Sequence, residues 1–305
     1  MSTASSVPAR TARRRLDEMS QHPWLFVLPA FSVYVIFLVS PALQSVGISF
    51  TDWNGVSPDA VFVGLDNYAH IFQDPVAMLA LRNNGIWSVV TISVPIALGL
   101  SLAVLLNGSS RLMPLLRTIF YMPAVLPLVA VGAIWGWLYD PSRGSVNEIL
   151  RSLGLGALAQ PWLGQDSTAL AAVIVAAVWV HTGFPMLIYL AALQGIPLEL
   201  YESARVDGAN RWQQFWHITM PGLRSAHAIV LALSIIDSFK VFDLIFAMTN
   251  GGPGNTTQVL GTWMFVNVFQ YFNVGYGTAV AVIITIAALA FGIPYVLAQL
   301  RSEKR

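Results

Sequence analysis

From Ser167 to Leu198 the chain carries no Asp, Glu, Lys or Arg, and further charge-free runs occupy 24–46 and 86–106. In hydrocarbon the backbone must satisfy its own N–H and C=O groups, so runs of about 20 apolar residues cross a bilayer as helices. The composition agrees, with 56% hydrophobic and 10% charged residues, where soluble domains carry about 25% charged. A soluble core cannot absorb that much apolar surface, so the chain is expected to be an integral membrane protein. No cysteine is present, which excludes disulfides, thiolate catalysis and cysteine metal sites. The net charge of +1 favours no class of partner.

Taken in order, residues 1–22 form a polar tail carrying Arg10, Arg13, Arg14 and Arg15. The apolar run 24–46 is too long for a signal-peptide core and lacks a cleavage pattern, so it is expected to be a first span. A first outer loop follows from Phe50 to Arg82, then a second span at 86–106. The third, 118–139, contains Pro123 and Pro127 and should be kinked by them. The loop Asp140–Asp166 includes a short helix near Val146–Leu153. The fourth span covers 170–194, the fifth 225–248 and the sixth 274–298, with an outer loop at Asn250–Asn273 and a tail at 301–305. The turn Gly251-Gly252-Pro253 should end the fifth span. Gly132 and Gly136 could allow close helix packing in the third. The domain reading is therefore a single six-span unit at 23–300.

Basic residues give this topology its sidedness. Arg10, Arg13, Arg14, Arg15, Arg111, Arg117, Arg205, Arg211, Arg224, Arg301, Lys304 and Arg305 fall on one side, twelve in all. Arg82, Arg143 and Arg151 fall on the other, and Lys240 lies within a span, completing the sixteen. Twelve against three obeys the positive-inside rule and makes both termini cytoplasmic.

The longest polar connection on that side is 196–221, IPLELYESARVDGANRWQQFWHITMP. Pro197 suits a helix start, and Glu199 and Glu202 suit its positive end. Gly208 is placed to end it in the left-handed conformation. Asn210 with Gln213 three residues on can cap a second short helix, whose apolar side is Trp212, Phe215 and Trp216. Pro221 then opens the next span. Two short helices joined at a glycine hinge make a docking element.

The order Glu202, Ala204, Gly208, Ile218, Pro221 resembles the EAA loop of bacterial ABC importer permeases, E-A-A-x3-G-x9-I-x-L-P, with Ser203 and Met220 as mild departures. YESARVDGAN, ITMPGL, TNGGPGNTTQVL, FNVGYGTAVAV and FVGLDNYAHIF are similar to the sugar-importer branch, the maltose-, lactose- and glycerol-phosphate-type permeases, so the likeness covers nearly the whole chain. It implies an all-α fold of six transmembrane helices with a cytoplasmic coupling loop, in a bacterial inner membrane. It also implies coupling to an ATPase through Glu202, Ala204, Asp207, Gly208, Ile218 and Pro221. A second permease subunit, expected to differ from this chain, two ATPase subunits that bind ATP and Mg, and an extracytoplasmic sugar-binding protein are the implied partners, alongside membrane lipid. Nucleic acid is not expected. The positions matching the family's mid-membrane sugar site are Val180, His181, Phe184, Ser234, Asp237, Ser238 and Val241.

The residues themselves exclude an ATP motor in this chain. Its two lysines, Lys240 and Lys304, lie in no G-x-x-x-x-G-K-[ST] loop. Its five histidines do not cluster at metal-ligand spacing, and no hydrolase signature is visible. Asp237, Lys240 and Asp243 are spaced by three inside the expected fifth span, where each charge costs at least ~2.5 kcal/mol. Two readings stay open for them: a helical face lining a solute path, or an ion ladder to a neighbouring helix. A rival of another class, a proton-coupled secondary transporter, would use Asp237, Lys240 and His181 as a relay.

Overall fold

A computed structural model describes residues 24–303. The N-terminal arginine cluster, Lys304 and Arg305 lie outside the described residues. Helix α1 (Trp24–Tyr34) continues through a π-helical turn (Val35–Val39) into α2 (Ser40–Ile48). A two-residue hairpin, β1 (Thr51–Asp52) and β2 (Val61–Phe62), is followed by α3 (Asp66–Gln73). The long α4 (Pro75–Leu106) comes next, then α5 (Met113–Tyr121), α6 (Leu128–Leu138) and α7 (Ser145–Ser152). The second half holds α8 (Ala169–His181), α9 (Gly183–Gln194), α10 (Leu198–Val206), α11 (Arg211–Gln214), α12 (Met220–Gly222) and α13 (Arg224–Phe239). It ends with α14 (Asp243–Thr249), α15 (Leu260–Phe265) and α16 (Val274–Glu303).

Four described helices are long and apolar enough to cross a membrane: Phe26–Ile48, Pro75–Leu106, Ala169–Gln194 and Val274–Tyr295. Two bent pairs also qualify if each counts as one span, which brings the number to six. One pair joins Met113–Val125 to Leu128–Leu138 at 102°, so Pro123 and Pro127 break the third expected span instead of kinking it. Two prolines four residues apart remove two backbone donors, and Leu126, the residue before Pro127, is extended at φ −73°, ψ 138°. The other pair joins Arg211–Gly222 to Arg224–Phe239 at 65°. The helix from the polar loop thus runs on through Pro221, and the next span starts after the bend at Leu223.

Three further boundaries differ from expectation. Helix α4 begins at Pro75, eleven residues before the expected 86, because the Asp74 side chain accepts the Val76 N–H and Pro75 occupies the first turn. The expected fifth span stops at Phe239 and resumes as α14. The expected outer loop 250–273 contains α15 and a π-helical extension, Val266–Gln270. The short helix expected near Val146–Leu153 is α7. Of the two glycines in the third expected span, Gly132 packs against α14, where an added Cβ would lie 2.7 Å from Ala247 Cβ, whereas nothing lies within 4 Å of Gly136.

Helix α4 is the central post. Its buried face carries Trp87 into one apolar cluster with Val131, Val173, Val180 and Ile245. Lower down, Ile96 and Ala103 join a second cluster with Met186, Tyr189 and Leu223. At its head, Ala77 and Ala80 join a third with Trp263 and Tyr276. A single rigid helix therefore registers α8, α9, α13, α15 and α16 against one another.

Candidate functional site

Between α4, α9, α13 and α14 lies a cavity of about 510 Å³. One face of α4 supplies Trp87, Thr91 and Pro95 at four-residue steps. Pro95 has no N–H to give the Thr91 carbonyl, and the Thr91 hydroxyl donates to the Trp87 carbonyl at 2.8 Å. His181, the last residue of α8, and Phe184 and Pro185, opening α9, form a second wall. Ser234, Asp237 and Ser238 on α13 form a third, closed by Lys240, Phe242 and Asp243.

Of the seven positions expected on a solute path, six line this cavity: His181, Phe184, Ser234, Asp237, Ser238 and Val241. Val180 does not, because it is 3% exposed in the cluster around Trp87. His181 Nδ1 and Asp237 Oδ2 are 3.7 Å apart, close enough to attract but too far to hydrogen-bond. The Ser238 hydroxyl donates back to the Ile235 carbonyl at 2.8 Å.

The expected face of Asp237, Lys240 and Asp243 is not formed, since the helix stops between the first and the second. Among the described residues the only ion pairs are His181–Asp237 and Glu202–Arg205, so no Asp–Lys–Asp ladder exists in this structure. Lys240 instead stands at the C-terminal end of α13 and Asp243 in the first turn of α14. Each sign suits the helix end it occupies. Both side chains line the cavity, leaving an ammonium and two carboxylates there for a polar guest. Trp87, Thr91 and Pro95 were missed as lining residues. Their shared four-residue spacing in a charge-free helix was the available signal.

The second site is the loop between α9 and α13. Gly208 has φ +82°. Its N–H bonds the Arg205 carbonyl at 3.1 Å, and the Ala209 N–H bonds the Ala204 carbonyl at 2.8 Å. This pairing is a Schellman end to α10. No atom lies within 4 Å of a Cβ built at Gly208, so backbone conformation alone demands glycine there. Asn210 Oδ1 accepts the Gln213 N–H at 2.9 Å while Gln213 Oε1 accepts the Asn210 N–H at 2.8 Å, the expected capping box. The Tyr201 and Thr219 hydroxyls, 2.9 Å apart, tie the two short helices together. Ala204, Asp207, Gly208 and Ile218 line a dent of about 330 Å³. Glu202 lies outside it, 3.9 Å from Arg205, and Pro221 lines a separate small cavity beside the bend. Val206 and Trp212 are 88% and 69% exposed, an unusual display of apolar surface on a polar loop.

A bundle of apolar helices around a polar cavity, with a hinged loop at one end, defines a membrane transport subunit. The chain belongs to the family of binding-protein-dependent transport system inner membrane components, whose model matches residues 95–305. It is 36% identical over 273 residues to the probable ABC transporter permease protein YurN of Bacillus subtilis, covering 89% of this chain and 93% of that one. It is 36% identical to the diacetylchitobiose uptake system permease protein NgcF of Streptomyces coelicolor, covering 85% and 77%. With the trehalose/maltose transport system permease protein MalF of Thermococcus litoralis the identity is 34%, covering 89% and 91%. Among solved structures, a bacterial ABC transporter involved in import of the acidic polysaccharide alginate matches at TM-score 0.81 and 26% identity, over 94% of this chain and 99% of that one. The alginate transporter in complex with a pentasaccharide-bound periplasmic protein matches at 0.79 and 25%, over 92% and 94%. The chain is thus a permease subunit of a binding-protein-dependent ABC transporter.

Proposed function

We propose that this permease forms half of the membrane path for a neutral sugar, with the cavity beside α13 as the site the sugar passes. The observation that carries this reading is the cavity's inventory. An aromatic ring, Phe184, lines the same cavity as Asp237, Lys240 and Asp243, whose only ion pair among the described residues is that of Asp237 with His181. Aromatic faces stack on sugar rings, and carboxylates accept from hydroxyls at roughly twice the strength of neutral acceptors. Two carboxylates against one lysine disfavour an acidic sugar. The six-span count with both bent pairs as spans, both termini cytoplasmic and the 196–221 loop inside belongs to the same reading, supported by the twelve-to-three distribution of basic residues. So do a bacterial inner-membrane location, the single domain at 23–300, a second permease and an extracytoplasmic binding protein.

In this reading ATP and Mg belong to two separate ATPase subunits. They engage the dent formed by Ala204, Asp207, Gly208 and Ile218, flanked by the exposed Trp212. Glu202 contributes from the outer surface of α10, and Pro221 stiffens the segment leading to the bend. Movement of the loop would be passed through the continuous 211–222 segment and the 65° bend to α13, which carries the cavity wall. The test is Gly208→Asp. Asp tolerates the left-handed conformation better than most residues, and the space beside Gly208 is open. The variant should insert normally and still fail to link ATP hydrolysis to sugar uptake in the reconstituted complex. Uptake at the wild-type rate would remove Gly208 from the coupling role. A proton relay through Lys240 gains no support, since Lys240 and His181 have no bonded connection.

A further inference from the structure

Two asparagines at the head of α4 remain outside any role assigned above. Asn83 and Asn84 are 3% and 4% exposed. Burying an amide costs free energy unless its hydrogen bonds are made, and here they are made to one remote segment. Asn83 Nδ2 donates to the Thr256 and Gln258 carbonyls, both at 2.8 Å. Asn84 Oδ1 accepts the Leu260 N–H, also at 2.8 Å. The pair thus grips the backbone just before α15. One residue on, Gly261 lies so close to the break after α13 that an added Cβ would stand 2.6 Å from the Val241 carbonyl oxygen. The Phe242 and Phe265 rings, 5.4 Å apart, join the break to α15 a second time. The break is the stretch that sets Lys240, Phe242 and Asp243 on the cavity wall.

We propose that Asn83 and Asn84 are positioning residues for the solute path. Through the 256–261 backbone they fix where Lys240 and Asp243 stand in the cavity. Asn83, Trp87, Thr91 and Pro95 share one face of α4 by their four-residue spacing. The helix that forms one wall of the cavity directly therefore also sets the opposite wall through its amides. Both walls are registered to one rigid element, so the separation of polar groups that a sugar meets is set without a salt bridge. This inference rests on the cavity being the path, but its test needs neither sugar nor ATP hydrolysis.

The absence of native cysteine makes single-cysteine reporters unambiguous. Asp243→Cys reports on the wall after the break, and Ser234→Cys on α13 reports on the wall before it. In native membranes holding the whole complex, each reporter is reacted with a cationic, membrane-impermeant methanethiosulfonate and the rate is measured on the purified chain. Asn84→Leu should change the rate at position 243 about fivefold, the population shift expected for losing one buried hydrogen bond, and Asn83→Leu, which loses two, by at least as much; both should leave position 234 unchanged. Gly261→Ala, which keeps both amides, should do the same by displacing the Val241 carbonyl. An unchanged rate at 243 in variants that insert would overturn the proposal. Equal changes at 234 and 243 would also overturn it, by showing that the amides hold the bundle as a whole. Where an asparagine-to-leucine variant fails to insert, Asn83→Gln or Asn84→Gln, which keeps a buried amide but misplaces it, decides by the same comparison. Altered labelling at 243 with uptake at the wild-type rate would leave the positioning role standing and count against the cavity as the path alone.

Discussion

Asp74 shows how much one side chain can organise at the end of the bundle where α4 begins. Its Oδ1 accepts the Val76 N–H at 2.8 Å, and its Oδ2 accepts from the Trp263 indole at 3.0 Å and the Tyr276 hydroxyl at 2.6 Å. Partial burial pulls the carboxyl upward in pKa. The Tyr276 hydroxyl, the Val76 and Ala77 amides and the Trp263 indole together outweigh that and hold it below its ordinary value. A depressed carboxylate stabilises the fold fully above its unfolded pKa and loses that contribution as pH falls through the folded one. The melting temperature in detergent should therefore lose the Asp74 contribution only below about pH 4, the ordinary Asp value. Asp74→Asn should lower the plateau at neutral pH by about 1–3 kcal/mol of stability and flatten that part of the acid limb. A plateau equal to wild type would mean that the three bonds carry no weight. The cap has a local signal, since Asp-Pro suits a helix start, although residues 50–82 were expected as a loop. The partners have none, because they lie 189 and 202 residues away in sequence.

At the scale of elements, the coupling loop is where local chemistry governs. Gly208 ends α10, and Asn210 with Gln213 starts α11, as short-range rules require, because every bond concerned spans five residues or fewer. Asn210→Ala should cost the second helix about 1 kcal/mol. It should appear as roughly fivefold faster amide exchange at Trp212–Gln214, with α10 unaffected. Exchange at the wild-type rate would assign the helix's order to tertiary contacts. The fifth span is the opposite case. Nothing in SFKVFD, residues 238–243, forbids a helix by propensity, for it holds neither Gly nor Pro. The break exists because Val241 is buried against Val259 and Leu244 and its carbonyl faces Gly261 across a close contact. Periodicity through the break therefore placed Asp237, Lys240 and Asp243 on one face that the chain does not form. In the third span the prolines were the right signal, but the degree of the bend was left to packing.

At the scale of the whole molecule, the proposed half of a path would need partners to complete it. No part of the apolar window in Phe26–Ile48 is buried, and Phe31, Phe37 and Leu43 are all exposed. A tagged chain extracted from its native membrane in mild detergent should bring down an ATPase and a second permease, identified by mass. A chain recovered alone that moves sugar in liposomes without ATP would overturn the importer reading. By itself the sequence determined the helical membrane class, the glycine turn and caps of the loop and the charged residues of the cavity. Those depend on hydrocarbon length, on glycine's access to positive φ and on spacing within single helices, all local properties. Only the tertiary structure decided where the third and fifth spans break, that Val180 turns into the core, and that Asn83 and Asn84 hold a segment more than 170 residues away. Those outcomes depend on which surfaces meet. A close backbone contact such as Gly261 on Val241 can override a helical preference worth only tenths of a kcal/mol per residue.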